Sequence, residues 1–588
     1  MVYRRLYPAN GRITWRGDGD CNWENNNAEC DYDLGDCCEC TCDNSTDYPC
    51  GISGYLCIDP DAIDDDIDQE ICKQETTPCP IGLQEGWLVQ STEDAKALAE
   101  AVKCSGGAFQ VEWIGRVKVP ATIEVMGGTV LNISGVGSES IIDGNGTTRI
   151  FRVVNASLGL ANMEVWNGKA TYGGALAASS SILTFDHTAF VNNVAFEKRG
   201  GAIFAHDGSV LTFTGDYRFY NNSGISGGAV YISRGSNASW EGTTTFSNNT
   251  AFAFNGGAVA VLAGSSALWT GNITFLGNTA SVYRGGAISV EDGSTVSWTS
   301  YASFISNHAD REGGAIFVDT GSTVTMNGDT LFSNNTVLFD GGAIGIGETS
   351  TVSWNENTDF IFNHAGDIGG AVASRANYSG ATASTVTEEN IESFLLIKGT
   401  TRFVDNTCGS NGGAMALLGG LSVTFMANNL TFSGNKADVA GGGIFISATG
   451  IGPVITNARF LSNFAEAGGG AFITGSGTAT NLPTTFDGCR FTDNRAGATG
   501  GAIDSTAGVD EIIDTGFTRN IARVGGALRL AGKASIKGCS FEENVAAEKV
   551  VQPCTTLGIS PRCPTATSIE TSSTAKKGRS LAIPRLTR

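Results

Sequence analysis

Two of the chain's four histidines, His308 and His364, stand close in sequence to acids and an arginine. With Asp310, Arg311, Asp340 and Asp367 they fall in three stretches spaced about 28 residues apart. Such a set could perform proton transfer on sugars, because breaking a glycosidic link or inverting a ring carbon needs a paired acid and base. The segment 377–398, in a stretch of irregular length, could wall a cleft beside it. The remaining histidines form the pairs Asp186-His187 and His206-Asp207. Neighbours in a strand point to opposite faces, so these side chains need not meet. Charged residues also collect in turns for solubility alone. Other stretches carry Lys198-Arg199, Arg284 or Asn411 at the corresponding point without a constellation, so a solvated turn is the simpler reading.

What positions these residues is a repeat. Between Gly173 and Asn544 a two-part motif recurs thirteen times: F-x-x-N, as in Phe246 to Asn249, and G-G-A plus an aliphatic residue, as in Gly256 to Val259. Most steps are 27 to 29 residues, and a fixed period of that size signals a solenoid. Each unit holds short β-rich runs and no helical pattern, so three short strands joined by turns make one coil of a parallel β-helix. Coils stack about 4.8 Å apart, which makes roughly sixteen coils about 75 Å long. Stacking puts equivalent residues in columns. Phe190, Phe219, Phe246, Phe275, Phe304, Phe332 and Phe360 should point inward, and the Asn three residues on should form a hydrogen-bonded ladder. The Gly pair supplies a corner that a side chain would obstruct. Phe213, Trp240, Trp269, Trp298, Met326 and Trp354, with Phe185, form a second column. A row of Trp could be a sugar platform, but Trp298 shares parity with Val296, so an interior stack is expected.

The pairing of G-G-A-[ILV] with F-x-x-N resembles the repeats of chlamydial polymorphic outer membrane proteins and of related β-helix proteins of algae and other protists. The resemblance covers about Gly173 to Asn544. It implies an all-β fold, a right-handed parallel β-helix of the pectin lyase-like kind, and leaves function open, since one fold hosts many activities. The bacterial proteins end in a membrane β-barrel, whereas this chain ends in a polar, basic stretch from Lys576 to Arg588, so an autotransporter role is not expected. Thr92 to Val102 reads as a short helix with Thr92 as N-cap. It precedes the strand-like runs Phe109–Trp113 and Thr129–Ile133 and resembles the helical cap at the entrance of pectin lyase-like folds. Those folds include polysaccharide lyases, hydrolases and epimerases.

Eleven of sixteen cysteines lie before residue 105, which reads as a disulfide framework from an oxidising compartment. Gly17 to Cys37 resembles a Lin-12/Notch repeat. The resemblance implies a calcium site at Asp33, Asp36, Asn26 and Asn27, whose oxygens suit a hard cation, and a Cys21–Cys37 disulfide. Leu34 and Asn25 depart from that family's pattern. Cys554 and Cys563 are the expected local pair in the tail. Cys489 and Cys539 should not be bonded to each other: they share a column with Thr515 between them, about 9.6 Å apart, beyond a disulfide's reach. The expected divisions are a Cys-rich head at 1–58, an acidic linker at 59–78, the β-helix at 79–550 and a polar tail at 551–588.

The formal charge of −22 argues against nucleic acid and anionic membranes as partners. No apolar run approaches the length of a transmembrane helix. Sequons at Asn44, Asn132, Asn145, Asn155, Asn221, Asn237, Asn248, Asn272, Asn334, Asn377 and Asn429 favour an extracellular or cell-surface location, with those in the Asn ladder expected to be buried. Met1 to Trp15 lacks the apolar core of a signal peptide, which is consistent with a truncated start. The functional expectation is a non-catalytic rod that binds glycans or proteins, or builds a matrix. The alternative is a carbohydrate-active enzyme of lyase or epimerase type.

Overall fold

The computed structural model describes residues 83–104, 106–375, 393–419, 421–426, 429–448, 452–475, 484–507, 509–531 and 533–548, with the short strands Ile63–Asp64, Gln69–Glu70 and Thr567–Ile569. The chain divides into two units, one of residues 1–80 with 103–106, the other of 81–102 with 107–588. In the first, Ile63–Asp64 pairs antiparallel with Gln69–Glu70, and Cys104 is disulfide-bonded. The expected calcium ligands Asn26, Asn27, Asp33 and Asp36, the expected disulfide cysteines Cys21, Cys37, Cys554 and Cys563, and residues 377–392 of the expected cleft wall lie outside the described residues.

The second unit is a parallel β-helix. One of its sheets has sixteen strands, from Ile123–Met126 to Thr567–Ile569, and only the last, against Leu528–Leu530, is antiparallel. The crossover rule for parallel strands makes such a coil right-handed. A coil contains four strand segments rather than the three expected: Val259–Val261, Ser266–Trp269, Ile273–Leu276 and Thr279–Ala280. The second and third are one strand broken by a turn at Gly271. In the entry coils they remain continuous, as in Ser157–Trp166 and Ile182–Val191. There the chain only kinks, at the left-handed residues Asn162 (φ 53) and His187 (φ 45).

The interior follows from the repeat. The Phe of each F-x-x-N is buried, and successive rings stack with centroids 4.4 to 5.3 Å apart, as in Phe246–Phe275 at 4.8 Å and Phe460–Phe491 at 4.4 Å. Trp240, Trp269, Trp298 and Trp354 are also fully buried, so the sugar-platform alternative is excluded for this column. The Asn ladder is continuous from Asn193 to Asn544. Asn249 is representative: its Nδ2 donates to Asn278 Oδ1 (3.0 Å) and to the carbonyl of Phe219 (2.9 Å), while its Oδ1 accepts from the backbone and side chain of Asn222. A side-chain amide here does what a strand edge cannot, joining three coils at a corner where the ladder of backbone bonds is interrupted.

Two features were not foreseen. A second ladder runs along another corner, where Ser209 N donates to Ser236 Oγ (3.0 Å), Ser236 N to Ser265 Oγ (3.2 Å) and Ser265 N to Ser294 Oγ (3.2 Å). And the sequon acceptors Asn221, Asn248 and Asn334 are exposed, not buried as expected. The ladder member is the residue after each, and the acceptor occupies a left-handed turn position (φ 54 to 56) that puts its side chain outside. The entrance helix spans Thr92–Ala101, with Ser91 rather than Thr92 as N-cap: Ser91 Oγ accepts from Asp94 N, and Asp94 bonds back to Ser91 N at 3.0 Å.

The Trp column contains a testable defect. Trp298 Nε1 donates to Thr330 Oγ1 (2.9 Å) and Trp354 Nε1 to Thr401 Oγ1 (3.1 Å). Thr330 aligns with Ala302 and then Ile273 in the preceding coils, and the buried indole nitrogens of Trp269 and Trp240 have no partner. Ala302→Thr is therefore expected to stabilise the rod by about 1 kcal/mol, by giving Trp269 its acceptor. Denaturant unfolding checks this, and an unchanged or lowered midpoint refutes it.

Candidate functional site

The six residues first singled out lie along one corner of the rod. His308 and His364 share a column in the order Thr279, His308, Thr336, His364, Thr407. Thr336 separates the two histidines by two coil steps, about 9.6 Å. His308 Nδ1 lies 2.9 Å from Thr336 Oγ1 and its Nε2 3.3 Å from Asp310 Oδ1, and His364 Nδ1 lies 2.8 Å from Thr407 Oγ1. Arg311 stacks over the Tyr283 ring at 4.7 Å, and Asp340 is buried. The structure thus brings His308 to Asp310 and uses both histidines to tie neighbouring coils.

A denser cluster, unnoticed in the sequence, lies on the outer face of the G-G-A sheet. Arg284 reaches Glu312 (3.3 Å) and Asp319 (3.4 Å) and lies over the Phe317 ring at 4.6 Å. Glu291, one coil before Asp319, accepts from Asn255 Nδ2 (2.6 Å) and from the Ser289 hydroxyl. Burial pushes the carboxyls of Glu291 and Asp319 above the usual range despite these donors. An acid raised by folding contributes stability below its unfolded value, near 4.5, and loses it as pH rises through the folded value. Glu291→Gln keeps the acceptor and removes the charge. The variant is expected to gain stability over the parent at pH 8 but not at pH 4 (about neutral versus acid limits of the titration). Thermal melts at both values test this, and equal differences would refute it.

The most open site lies over the entry coils. A groove of about 630 Å3 is lined by Arg116, Glu139, Glu164, Trp166, His187, Asp216 and Arg218, among others. A second, of about 310 Å3, adjoins it through Arg116 and includes Lys118, Asp143 and Lys169. Arg116 donates through Nε (2.8 Å) and Nη2 (2.6 Å) to Asp143 and lies over the Trp166 ring at 5.1 Å. Burial alone would raise the Asp143 carboxyl. Hydrogen bonds from Asn167, the Asn145 backbone and Arg116 outweigh it and hold the group below the usual range. Trp166 Nε1 donates to Glu164 (2.6 Å).

In this groove the adjacent pair does meet: His187 Nδ1 lies 2.8 Å from Asp186 Oδ1. The left-handed backbone at His187 breaks strand alternation and turns both side chains outward. Gly215 (φ +122) leaves the space, since a Cβ there would come within 2.7 Å of the imidazole. His206 likewise contacts Asp207, at 2.7 Å, but its side chain is fully buried. Cys408 and Cys489 are buried thiols pushed up to about 12; Cys489 and Cys539 are both free, so they are not bonded to each other, as the column spacing required. Among the described residues no group of three His, Cys, Asp or Glu could hold a metal ion, and no helix is long and apolar enough to cross a membrane.

Residues 429–447 match the Chlamydia polymorphic membrane protein repeat. That stretch holds Phe432 to Asn435 and Gly441 to Ile444, both halves of the motif. The repeat expected from the sequence is thereby found, on a parallel β-helix. A solved structure of a PL6-family alginate lyase, AlyGC, aligns with 77% of this chain and 100% of its own at 10% identity. Its TM-score of 0.18 is too low to carry an argument. Comparison with the curated proteins gives no match.

Proposed function

We propose that the chain is a non-catalytic binding rod displayed outside the cell, engaging glycans or proteins through its outer faces. The observation that carries this reading is where the repeated chemistry goes. The Phe and Asn of the motif and the Trp of the second column are consumed inside, joining coil to coil, which leaves the outward positions of the coils for recognition. Regular coils of this kind offer an extended face for multivalent recognition, in which weak contacts add avidity. The match to a Chlamydia polymorphic membrane protein repeat supports a surface association, and exposed sequon asparagines at seven described positions, 145, 155, 221, 237, 248, 272 and 334, suit an extracellular face. The test is a glycan array and a cell-binding assay with the intact secreted chain. Saturable binding to a defined ligand is expected, and absence of binding to any glycan or cell would refute it.

A second reading, carbohydrate chemistry, is favoured by one observation, the Asp186–His187 contact inside a groove. It would need substrate turnover that disappears in His187→Ala.

A further inference from the structure

The grooves over the entry coils hold as many cations as acids, Arg116, Lys118, Lys169 and Arg218 against Glu139, Asp143, Glu164 and Asp216, in a chain whose formal charge is −22. Arg116, Ile141, Glu164, Ala189 and Arg218 form one outward column of five successive strands. Lys118, Asp143, Trp166, Val191 and Tyr220 form the next. Beyond them the columns turn to small or apolar residues: Thr245, Thr274 and Ser303 in the first, Ser247, Leu276 and Ile305 in the second. Arginines return farther along the first column, at Arg402, Arg459 and Arg490, and in the entry coils the arginines stand beside the outward rings of Trp166 and Tyr220.

The donors and acceptors there are not in balance. Asp143 is taken by Arg116, Asn167 and the Asn145 backbone. Glu164 is taken by Trp166, Asp186 by His187, and Asp216 by the Thr243 backbone. Of the acids lining the grooves, only the exposed Glu139 has no protein donor. The cations are the reverse. Arg116 leaves Nη1 unused. Arg218 makes no hydrogen bond to protein, its nearest carboxylate oxygen being Glu164 Oε2 at 3.8 Å. Lys118 has no protein partner, and Lys169 only faces the Phe196 ring at 5.7 Å. Farther along the same column Arg402 shows the closed alternative, with two hydrogen bonds to Asp359. Cations with spare donors, beside acids already satisfied, are arranged to receive acceptors from outside.

We propose that this face binds an anionic oligosaccharide lying along the rod axis, its carboxylate or sulfate groups meeting Arg116, Lys118, Lys169 and Arg218. The span from Arg116 to Arg218 is four strand spacings, roughly 19 Å. A hexose in an extended chain is about as long as one such spacing, so a chain of about four sugars spans the distance between the cations at the two ends of the column. The Arg116 guanidinium is preset by Asp143 and the Trp166 ring, which lowers the ordering cost of the contact. The Trp166 and Tyr220 rings, outward in the second column with Val191 between them, supply apolar area for sugar faces. The proposal rests on the binding-rod reading and assigns its ligand class and place.

The test is calorimetry of the intact chain with three probes: an oligogalacturonate for carboxylate, dextran sulfate for sulfate, and uncharged dextran. Binding to at least one anionic probe and none to dextran is expected, and which one binds names the group. Arg218→Ala and Lys118→Ala should each weaken it about tenfold, the effect of one charged hydrogen bond. Arg402→Ala should leave it unchanged. Neither exposed side chain supports the fold, and circular dichroism confirms that. The proposal is overturned by equal binding of dextran, by no binding to either anionic probe, or by anionic binding that survives the Arg218→Ala/Lys118→Ala double variant. In that last case the binding-rod reading stands and only the assignment of the site fails.

Discussion

Asn278→Leu is expected to cost on the order of 4 kcal/mol of stability, although the volume changes little. The amide donates to Asn307 Oδ1 and to the Phe246 carbonyl, and accepts from the backbone and side chain of Asn249. Removing it leaves the Asn249 backbone N–H without its acceptor, at about 1–3 kcal/mol, and takes one bond, worth about 0.5–1.5 kcal/mol, from each of Asn249 Nδ2, Asn307 Oδ1 and the Phe246 carbonyl, although Asn249 keeps Phe219 and Asn307 keeps the Asn278 backbone N–H. Coils contact only their neighbours, so the damage should be local. Hydrogen exchange should accelerate in coils 246–307 and not near Phe491. A loss below about 1 kcal/mol would mean that the ladder is a consequence of stacking and not a support for it.

Gly257→Val is expected to be worse. A Cβ on Gly257 would lie 2.0 Å from the carbonyl oxygen of Gly286 in the next coil. That atom is backbone, so no rotamer change relieves the clash, and the two coils must separate. The same approach recurs at Gly201, Gly228, Gly286, Gly314 and Gly342, where the next carbonyl is 2.0 to 2.1 Å from the built position. The preceding Gly256 has φ +72 and is needed for a different reason, its left-handed backbone. Gly257→Val should lower stability by more than about 4 kcal/mol, or prevent accumulation of folded protein. Gly264→Ala is the comparison, because nothing lies within 4 Å of its Cβ and only its φ of +69 opposes the change. Its loss should be about 1 kcal/mol. Chemical denaturation of the pair separates the close approach from backbone strain, and equal losses would contradict the account.

The interior was legible because the period aligns it. One spacing rule put Phe246 on Phe275 and Trp240 on Trp269, and parity with Val296 turned Trp298 inward. Where the period is weak, reading stopped. Arg116 and Trp166 belong to entry coils in which one or both halves of the motif are missing, so nothing in the sequence shows that Arg116 shares a column with Arg218, which directly precedes Phe219. Asp186 and His187 were held apart by the alternation rule, which fails at a left-handed kink. The net charge of −22 argued against nucleic acid and anionic membranes, and a sum over the chain says nothing of which acids are already bonded. The Ser ladder was missed because Gly-Ser pairs look like ordinary turn chemistry until the turns are stacked.

The central claim is that the rod holds its ligand without changing it. The most direct measurement incubates the intact chain with each glycan it binds and weighs the recovered glycan by mass spectrometry. The account predicts saturable binding and a ligand recovered at its original mass. Shortened or unsaturated products that vanish in His187→Ala, or in His308→Ala with Asp340→Asn, would contradict it and establish an enzyme in its place.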